Sequence, residues 1–553
     1  MSSLNIKRLP YHSAIIPAVV TVVFLLPFIN KAFHIDDTLF LASAKQIQSN
    51  PVDFYGFSIN WYGTELPMAE TTKNSPLACY YIALVSAVFG FGEITLHIAF
   101  LIPAVAVALG TYYLAAKLCS KPTVAAVAAV LTPAFLVSST NIMCDTMMLA
   151  FWLWATILWM QGIEDNRWSA LCAAAVLMAL CALTKYFGMA LIPLILVYSV
   201  VKKRKLEIQV LFLLIPIIIL AGYQWLTYEL YGRGLLSDAA SYATQQNWLK
   251  NWLSGGRFFV KGLTVLTFTG GCIITALFYL PLLCSRKNLI TITVAVVIAV
   301  IFASGFMTKI VKFQKNPQDS TNWIFTVQLI LMITSAIIIL TIAVIDLYSN
   351  RHAESLLLLL WVFGTFIFAG FINWTVNARS LLPMTPAVAI LIVRQIDARS
   401  KNIQSLWRLV WPLVPAAVIT LAVCWADYAW AGTAREAAAV INEKFKTQNK
   451  TIWFLGHWGF QYYMEAENHK ALDLERPRPV YGDILISPVS NTNVYEISDE
   501  LVVLDQTLEF MPFRWCATMK RPLGAGFYSD VWGPLPFAFG KAAPEKYRVF
   551  TVK

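Results

Sequence analysis

"AIIPAVVTVVFLLPFINKAFHIDDTLFLASAKQI" runs from Ala14 to Ile47, and its reading decides the fold. Ala14–Ile29 is an uncharged apolar run that follows Lys7 and Arg8 and ends at Asn30 and Lys31. No small-x-small cleavage site follows, and "INKAFHIDD" reads as an exit from a membrane, so the run is expected to be an uncleaved anchor. Two adjacent carboxylates, Asp36 and Asp37, then stand within a few residues of the membrane surface. Beyond them Leu39, Phe40, Ala42 and Ile47 form an amphipathic pattern that predicts a short juxtamembrane helix over 37–48.

The same texture recurs along the chain. Of its 553 residues 58% are hydrophobic and 13% charged, and apolar runs long enough to cross a bilayer follow one another almost from end to end. Backbone polar groups cannot go unpaired in hydrocarbon, so the runs are read as helices of a polytopic membrane protein. The net charge of +11 is spread over short loops and gives no nucleic-acid signal. Most of the nine cysteines lie in or beside apolar runs, with Cys516 in the polar C-terminal part, and no disulfide framework follows.

Lys/Arg bias sets the orientation. Basic loops occur at Lys7–Arg8, Lys117–Lys121, Arg167, Lys202–Lys205, Ser285–Lys287, Asn350–His352 and Arg394–Lys401. Placing all of them in the cytoplasm gives about thirteen spans, with starts near residues 12, 94, 122, 145, 167, 186, 207, 258, 289, 323, 354, 381 and 407, an inner N-terminus and an outer C-terminus. The run Ser75–Gly90 is then not a span: its sixteen residues reach only about 24 Å against a core of roughly 30 Å, so a helix over 75–90 lies along or dips into the outer leaflet.

This arrangement collects charge on one face. Asp36, Asp37, Lys73, Asp145, Lys185, Arg257 and Arg379 all reach the outer side, with further lysines at 309, 312 and 315. Asp36 and Asp145 each sit where an aspartate can simply cap a helix, and Lys185 sits where a lysine can snorkel. So many outer cations nevertheless run against the usual bias, and an anion held near the surface explains them. A carboxylate can take the proton of an acceptor hydroxyl while cations stabilise a departing phosphate. A sugar on a polyprenyl phosphate presents those groups at the outer leaflet. No nucleotide-binding glycine loop is visible, and the six histidines are scattered, so no metal set emerges. No cofactor is indicated; a divalent metal is compatible with the carboxylates but not called for.

A family resemblance rests on "HIDDTLFLASAKQI", "NSPLACYYIALVSAVFGFGEITLHIAFLIP", "TNIMCDTMMLAF", "ALTKYFGMALIP" and "NARSLLPMTPAVAIL", in that order. Together they resemble polyprenyl-phosphate-sugar-dependent glycosyltransferases of the GT-C fold, and among these glycosyltransferase family 39, with its protein O-mannosyltransferases and the aminoarabinose transferase of lipid A. The resemblance covers residues 10–200 well and 370–400 loosely. It implies an all-α polytopic fold and an inverting transfer from the lipid phosphate. It places the catalytic carboxylates on Asp36, Asp37 and Asp145, with Asp36 foremost, and the donor-phosphate ligands on Lys185 and Arg257, joined by Arg379. The family's Lys-Pro-Pro-Leu is here Asn74-Ser75-Pro76-Leu77, which puts Lys73 one position off as a phosphate ligand. An arginine common in the next span is replaced by His97. Asn74 and His97 are therefore expected to position acceptor or donor, and both departures imply a donor or acceptor unlike that of the lipid A enzyme.

Residues 1–431 are thus expected to form the transmembrane domain and 432–553 a small α/β domain outside the membrane. "AREAAAVINEKF" and "GFQYYMEAEN" read as helices, and "TIWFLG", "GDILISP" and "ELVVLDQ" as strands. The expected setting is a bacterial inner membrane with site and C-terminus facing the periplasm. The expected partners are the lipid-linked sugar and a lipid, glycan or protein acceptor, with no nucleic acid. A transporter or flippase of a lipid-linked saccharide is the rival reading; such proteins place ionisable groups near the midplane and repeat their halves. Reporter fusions after Gly90 and after Lys121 check the topology. The first is expected to report the periplasm and the second the cytoplasm, and a cytoplasmic signal after Gly90 overturns the shared outer face.

Overall fold

The computed structural model describes residues 11–244, 257–310, 323–399, 406–448, 450–475 and 479–553. Among these, eight helices are long and apolar enough to cross a membrane, or nine if one bent pair counts as a span. Shorter apolar helices cover Ser13–Phe28, Leu77–Phe89, Trp168–Thr184 and Phe258–Cys272. Helix Glu93–Leu118 packs against Tyr11–Leu25, Pro122–Val130 and Asp145–Asp165. One apolar core runs from Leu25 in the first helix to Trp430 in the last. Short helices Asp37–Ser49 and Leu77–Phe89 pack on each other and add Leu39, Phe40, Ala78 and Ile82 to the same core.

The run expected to cross from residue 122 is broken. Pro122–Val130 and Pro133–Ser139 meet at 64°. Pro133 has no N–H to give to Ala129, four residues back, so the helix ladder stops there. The Thr132 hydroxyl takes over, donating to the Ala129 carbonyl at 2.8 Å, while Thr275 donates to the buried Leu131 carbonyl at 2.9 Å. Polar groups freed at membrane depth are thereby re-satisfied. The break carries the stretch from Ser138 to Asp145 back into the protein, where every residue of it is buried, Thr140, Asn141 and Asp145 included.

That stretch meets a fully buried ion pair. Lys31 Nζ lies 2.5 Å from Asp427 Oδ2, and both side chains have no exposed surface. Lys31 also donates to Asn141 Oδ1 at 2.7 Å and Thr140 Oγ1 at 3.2 Å. Asp427 accepts from Thr518 Oγ1 and from the Tyr528 hydroxyl, each at 2.8 Å. Four chain regions far apart in sequence converge on one neutralised charge.

The last long helix, Leu413–Phe445, runs on without interruption through the residues expected to begin the outer domain, so "AREAAAVINEKF" is its end and not a separate element. Ala437, Ala438, Ile441 and Phe445 pack under a five-stranded sheet through Phe454, Ile484, Ile486, Tyr547 and Val549. In spatial order the strands are Lys470–Ala471, Ile452–Phe454, Ile484–Pro488, Glu545–Val552 and Val502–Phe510. The first three are parallel, and Glu545–Val552 pairs antiparallel with both its neighbours. Helix Trp458–Ala466 provides the crossover from Ile452–Phe454 to Lys470–Ala471. The small α/β unit expected from the sequence is present, with the strand Glu545–Val552, between Ile484–Pro488 and Val502–Phe510, not foreseen.

Removing one partner of a buried pair leaves the other charge uncompensated, at a cost of about 3–5 kcal/mol. Lys31→Met is therefore expected to lower the melting temperature markedly in detergent, and adding Asp427→Asn to recover part of the loss. An unchanged melting temperature in Lys31→Met counts against the pair as a tie between these regions.

Candidate functional site

Asp36 precedes helix Asp37–Ser49 at the capping position, yet its carboxylate makes no capping hydrogen bond. It turns instead to Arg379, whose Nη2 donates to Asp36 Oδ2 at 2.9 Å. Arg379 lies in the short helix Ala378–Leu381, started by Asn377, whose side chain accepts from Ser380 N at 2.9 Å. On its other side Arg379 Nη1 approaches Asp145 Oδ2 at 3.9 Å. Asp145 begins helix Asp145–Asp165 and accepts a hydrogen bond from Lys185, the residue that ends helix Trp168–Thr184. Lys185 therefore faces a carboxylate rather than snorkelling. Charges alternate along the line Asp36, Arg379, Asp145, Lys185. Asp145 is buried, while Asp36 and Lys185 keep 22% and 20% of their side-chain surface, which makes the two ends of the line reachable. Arg379 Nε is buried and has no hydrogen-bond partner among the described residues. Burial works against the guanidinium charge, and Asp36 and Asp145 more than offset it.

Asp37 points the other way. Its carboxylate accepts from His34 N at 2.8 Å and from Ile142 N at 3.1 Å, and so ties the turn at 34–37 to the loop after the broken helix. Burial pushes the Asp37 carboxyl up to about 7, with the charge of Asp36 adding to the rise and Lys31 and the two amides pulling against it. His34 is buried beside Asp427, and burial drives its imidazole down to about 3, so it is neutral.

The other expected residues are spread around this line. Asn74 Oδ1 accepts from the Cys144 thiol at 3.7 Å, one residue from Asp145. Lys73 donates to Asp238 Oδ2 at 2.7 Å and lies 5.6 Å from the Tyr242 ring centre. Tyr242 and Tyr62 share a hydrogen bond and both sense the charge of Asp36; burial first, then Tyr242 and Asp36, push the Tyr62 phenol up to about 12. His97 is buried, with its ring nitrogens 2.8 Å from the Glu93 carbonyl and 3.0 Å from the Thr140 carbonyl, so it meets backbone beside the Lys31 cluster. Arg257 opens helix Arg257–Cys272, and its side chain lies outside the described residues, as do Lys309, Lys312 and Lys315. Among the described residues no three His, Cys, Asp or Glu side chains gather as a metal site.

The outer unit holds the turn that carries Asp36. Tyr463, in helix Trp458–Ala466, accepts from Phe33 N at 2.8 Å and donates to Glu93, which also pairs with Arg435. Gly459 sits so close that a Cβ there would lie 2.0 Å from the Phe33 carbonyl oxygen. Sequence reading missed these contacts and the role of Lys31, which reads as an ordinary membrane exit.

Residues 73–228 match the family model described as dolichyl-phosphate-mannose-protein mannosyltransferase. No curated protein matches the chain. Among solved structures, the apo oligosaccharyltransferase of Archaeoglobus fulgidus gives a TM-score of 0.49 at 14% identity over 83% of this chain and 64% of that one. The same archaeon's AglB, in complex with an inhibitory peptide and a dolichol-phosphate, gives 0.46 at 14% identity over 84% and 64%. ArnT from Cupriavidus metallidurans bound to undecaprenyl phosphate gives 0.49 at 12% identity over 87% and 93%. The chain thus spans 64% of the length of the oligosaccharyltransferases it matches. Residues 73–228 are thus similar to a GT-C glycosyltransferase family, in a chain with eight or nine helices long and apolar enough to cross a membrane among the described residues.

Proposed function

We propose that the chain is an inverting glycosyltransferase that moves a sugar from a polyprenyl-phosphate donor to a hydroxyl or phosphate of an envelope acceptor. The acceptor is a glycolipid, a polysaccharide or a protein, and the reaction takes place on the periplasmic side of a bacterial inner membrane. The observation that carries the reading is the Asp36 carboxylate, free of capping duty, in a line of alternating charges drawn from four distant parts of the chain. The match to a family model named for a lipid-phosphate sugar supports it.

Along the line the carboxylates neutralise the cations. A donor phosphate competes for Arg379 and Lys185, and the planar guanidinium can offer two N–H groups to its oxygens. Occupied cations release Asp36, which is then placed to accept the proton of an acceptor hydroxyl. The acceptor oxygen bonds to the anomeric carbon as the carbon–oxygen bond to phosphate breaks. The hydroxyl proton goes to Asp36, and the bond pair leaves with the polyprenyl phosphate, held by the cations. A phosphate needs no proton to depart, so one carboxylate serves where most glycoside hydrolases use two. Asp37, fixed by two amides, supports the turn; Asp145 holds both cations in register. Asn74 borders the Asp145 side of the line, and Lys73 with Tyr62 and Tyr242 borders the Asp36 side.

Two measurements test this. Asp36→Asn is expected to fold with at most a modest drop in melting temperature, because no cap is lost and the amide oxygen can still accept from Arg379, and to lower turnover by about 10²–10⁴-fold. Near-normal turnover in the folded variant, or a product of retained configuration, overturns Asp36 as the base of a single displacement. Lys185→Gln and Arg379→Gln are expected to weaken donor binding by about 1.5–3 kcal/mol each. Unchanged donor affinity in both removes the phosphate role.

A further inference from the structure

The C-terminal loop from Gly524 to Leu535 lies directly against the segment that leads into Arg379. Ala378 N donates to the Phe527 carbonyl at 2.8 Å, and Asp530 N donates to the Val376 carbonyl at 2.9 Å. The Asp530 carboxylate accepts from Val376 N at 3.1 Å and from Thr375 Oγ1 at 2.5 Å. The loop is itself closed: Gly526 N donates to Leu535 O at 2.8 Å and Leu535 N to Gly524 O at 3.0 Å. Gly524 has a φ of +71°, in the left-handed region, and a Cβ on Gly533 would lie 2.1 Å from Gly524 backbone atoms, so the loop closes only with glycine at both places.

From this loop Tyr528 reaches inward. Its ring centre lies 5.7 Å from Arg379 Cζ, within the range of a cation–π contact. Its hydroxyl donates to Asp427 Oδ2 at 2.8 Å and accepts from Asn141 Nδ2 at 2.9 Å. One aromatic ring thus joins the buried Lys31–Asp427 pair to the guanidinium. These contacts add to the bonds by which Asp36 and Asp145 already hold Arg379, which sits on a helix of a single turn.

We propose that Tyr528 and Asp530 are positioning residues: Asp530 fixes the backbone before Arg379, and Tyr528 supports the guanidinium face, so that Arg379 meets an entering phosphate in one orientation. This assigns the far C-terminal loop to phosphate binding in the membrane site, and it rests on the reading of Arg379 as a donor-phosphate ligand. Neither residue needs to touch substrate.

The test uses the full-length protein in detergent, with a short-chain polyprenyl phosphate as probe and the melting temperature recorded alongside. Tyr528→Leu is expected to weaken probe binding about tenfold, and Tyr528→Phe, which keeps the ring, to weaken it much less. Asp530→Asn, at a partly exposed position, is expected to weaken binding with little change in melting temperature. In an Arg379→Gln background none of the three should weaken binding further, an interaction that general loosening of the fold does not produce. If Arg379→Gln weakens binding while Tyr528→Leu and Asp530→Asn do not, or if their effects persist in full in the Arg379→Gln background, positioning is overturned and the phosphate reading stands. If Arg379→Gln itself leaves binding unchanged, both fall.

Discussion

The buried Lys31–Asp427 pair is the constraint around which the outer half of the molecule is arranged. An ammonium withdrawn from water requires a carboxylate and hydrogen-bond acceptors; this one finds them in two separate segments, and a third donates hydroxyls to the carboxylate. Asn141 and Thr140 come from the loop behind the broken helix, Asp427 from the last long helix, and Thr518 and Tyr528 from the C-terminal strands and loop. Each of these partners has a neighbour at the site: Lys31 leads into the Asp36 turn, Asn141 into Asp145, and Tyr528 against Arg379. Satisfying one charge therefore fixes the mutual position of the groups that line the site.

The site applies the same economy nearer the surface. Two carboxylates and two cations share one line with no formal excess charge, so each member can sit in a half-dry pocket without a ligand. The arrangement is poised rather than closed, since Asp36 and Lys185 stay accessible and one N–H of Arg379 is unspent. An anion entering the line trades partners instead of displacing bulk water from bare ions.

Much of this could be read from residue order alone, and the reasons for the exceptions are physical. Hydrophobic runs are a direct record of helices, and a helix lies at or near each expected start. The number that pass as full spans, eight or nine among the described residues, is smaller than thirteen because several are short, and one is bent at a proline whose effect depends on hydroxyls brought from elsewhere. Asp36, Asp145, Lys185 and Arg379 stood out as charges at span ends, but whether Asp36 caps its helix depends on where Arg379 comes to rest, 343 residues away. Lys31 resembled any cation at a membrane exit, because its partner lies 396 residues on. The strand Glu545–Val552 escaped the sequence reading, because its burial alternates only over its first half and it lies behind a glycine- and proline-rich stretch that reads as loop.

The helix Leu413–Phe445 has a mechanical consequence. At about 1.5 Å per residue its 33 residues extend about 50 Å, some 20 Å more than a hydrocarbon core. The surplus is buried beneath the sheet, so the outer unit is mounted on a rigid post rather than hung from a linker. Through Tyr463 and the close approach of Gly459 to Phe33, that post sets the turn carrying Asp36 in the same frame as the sheet.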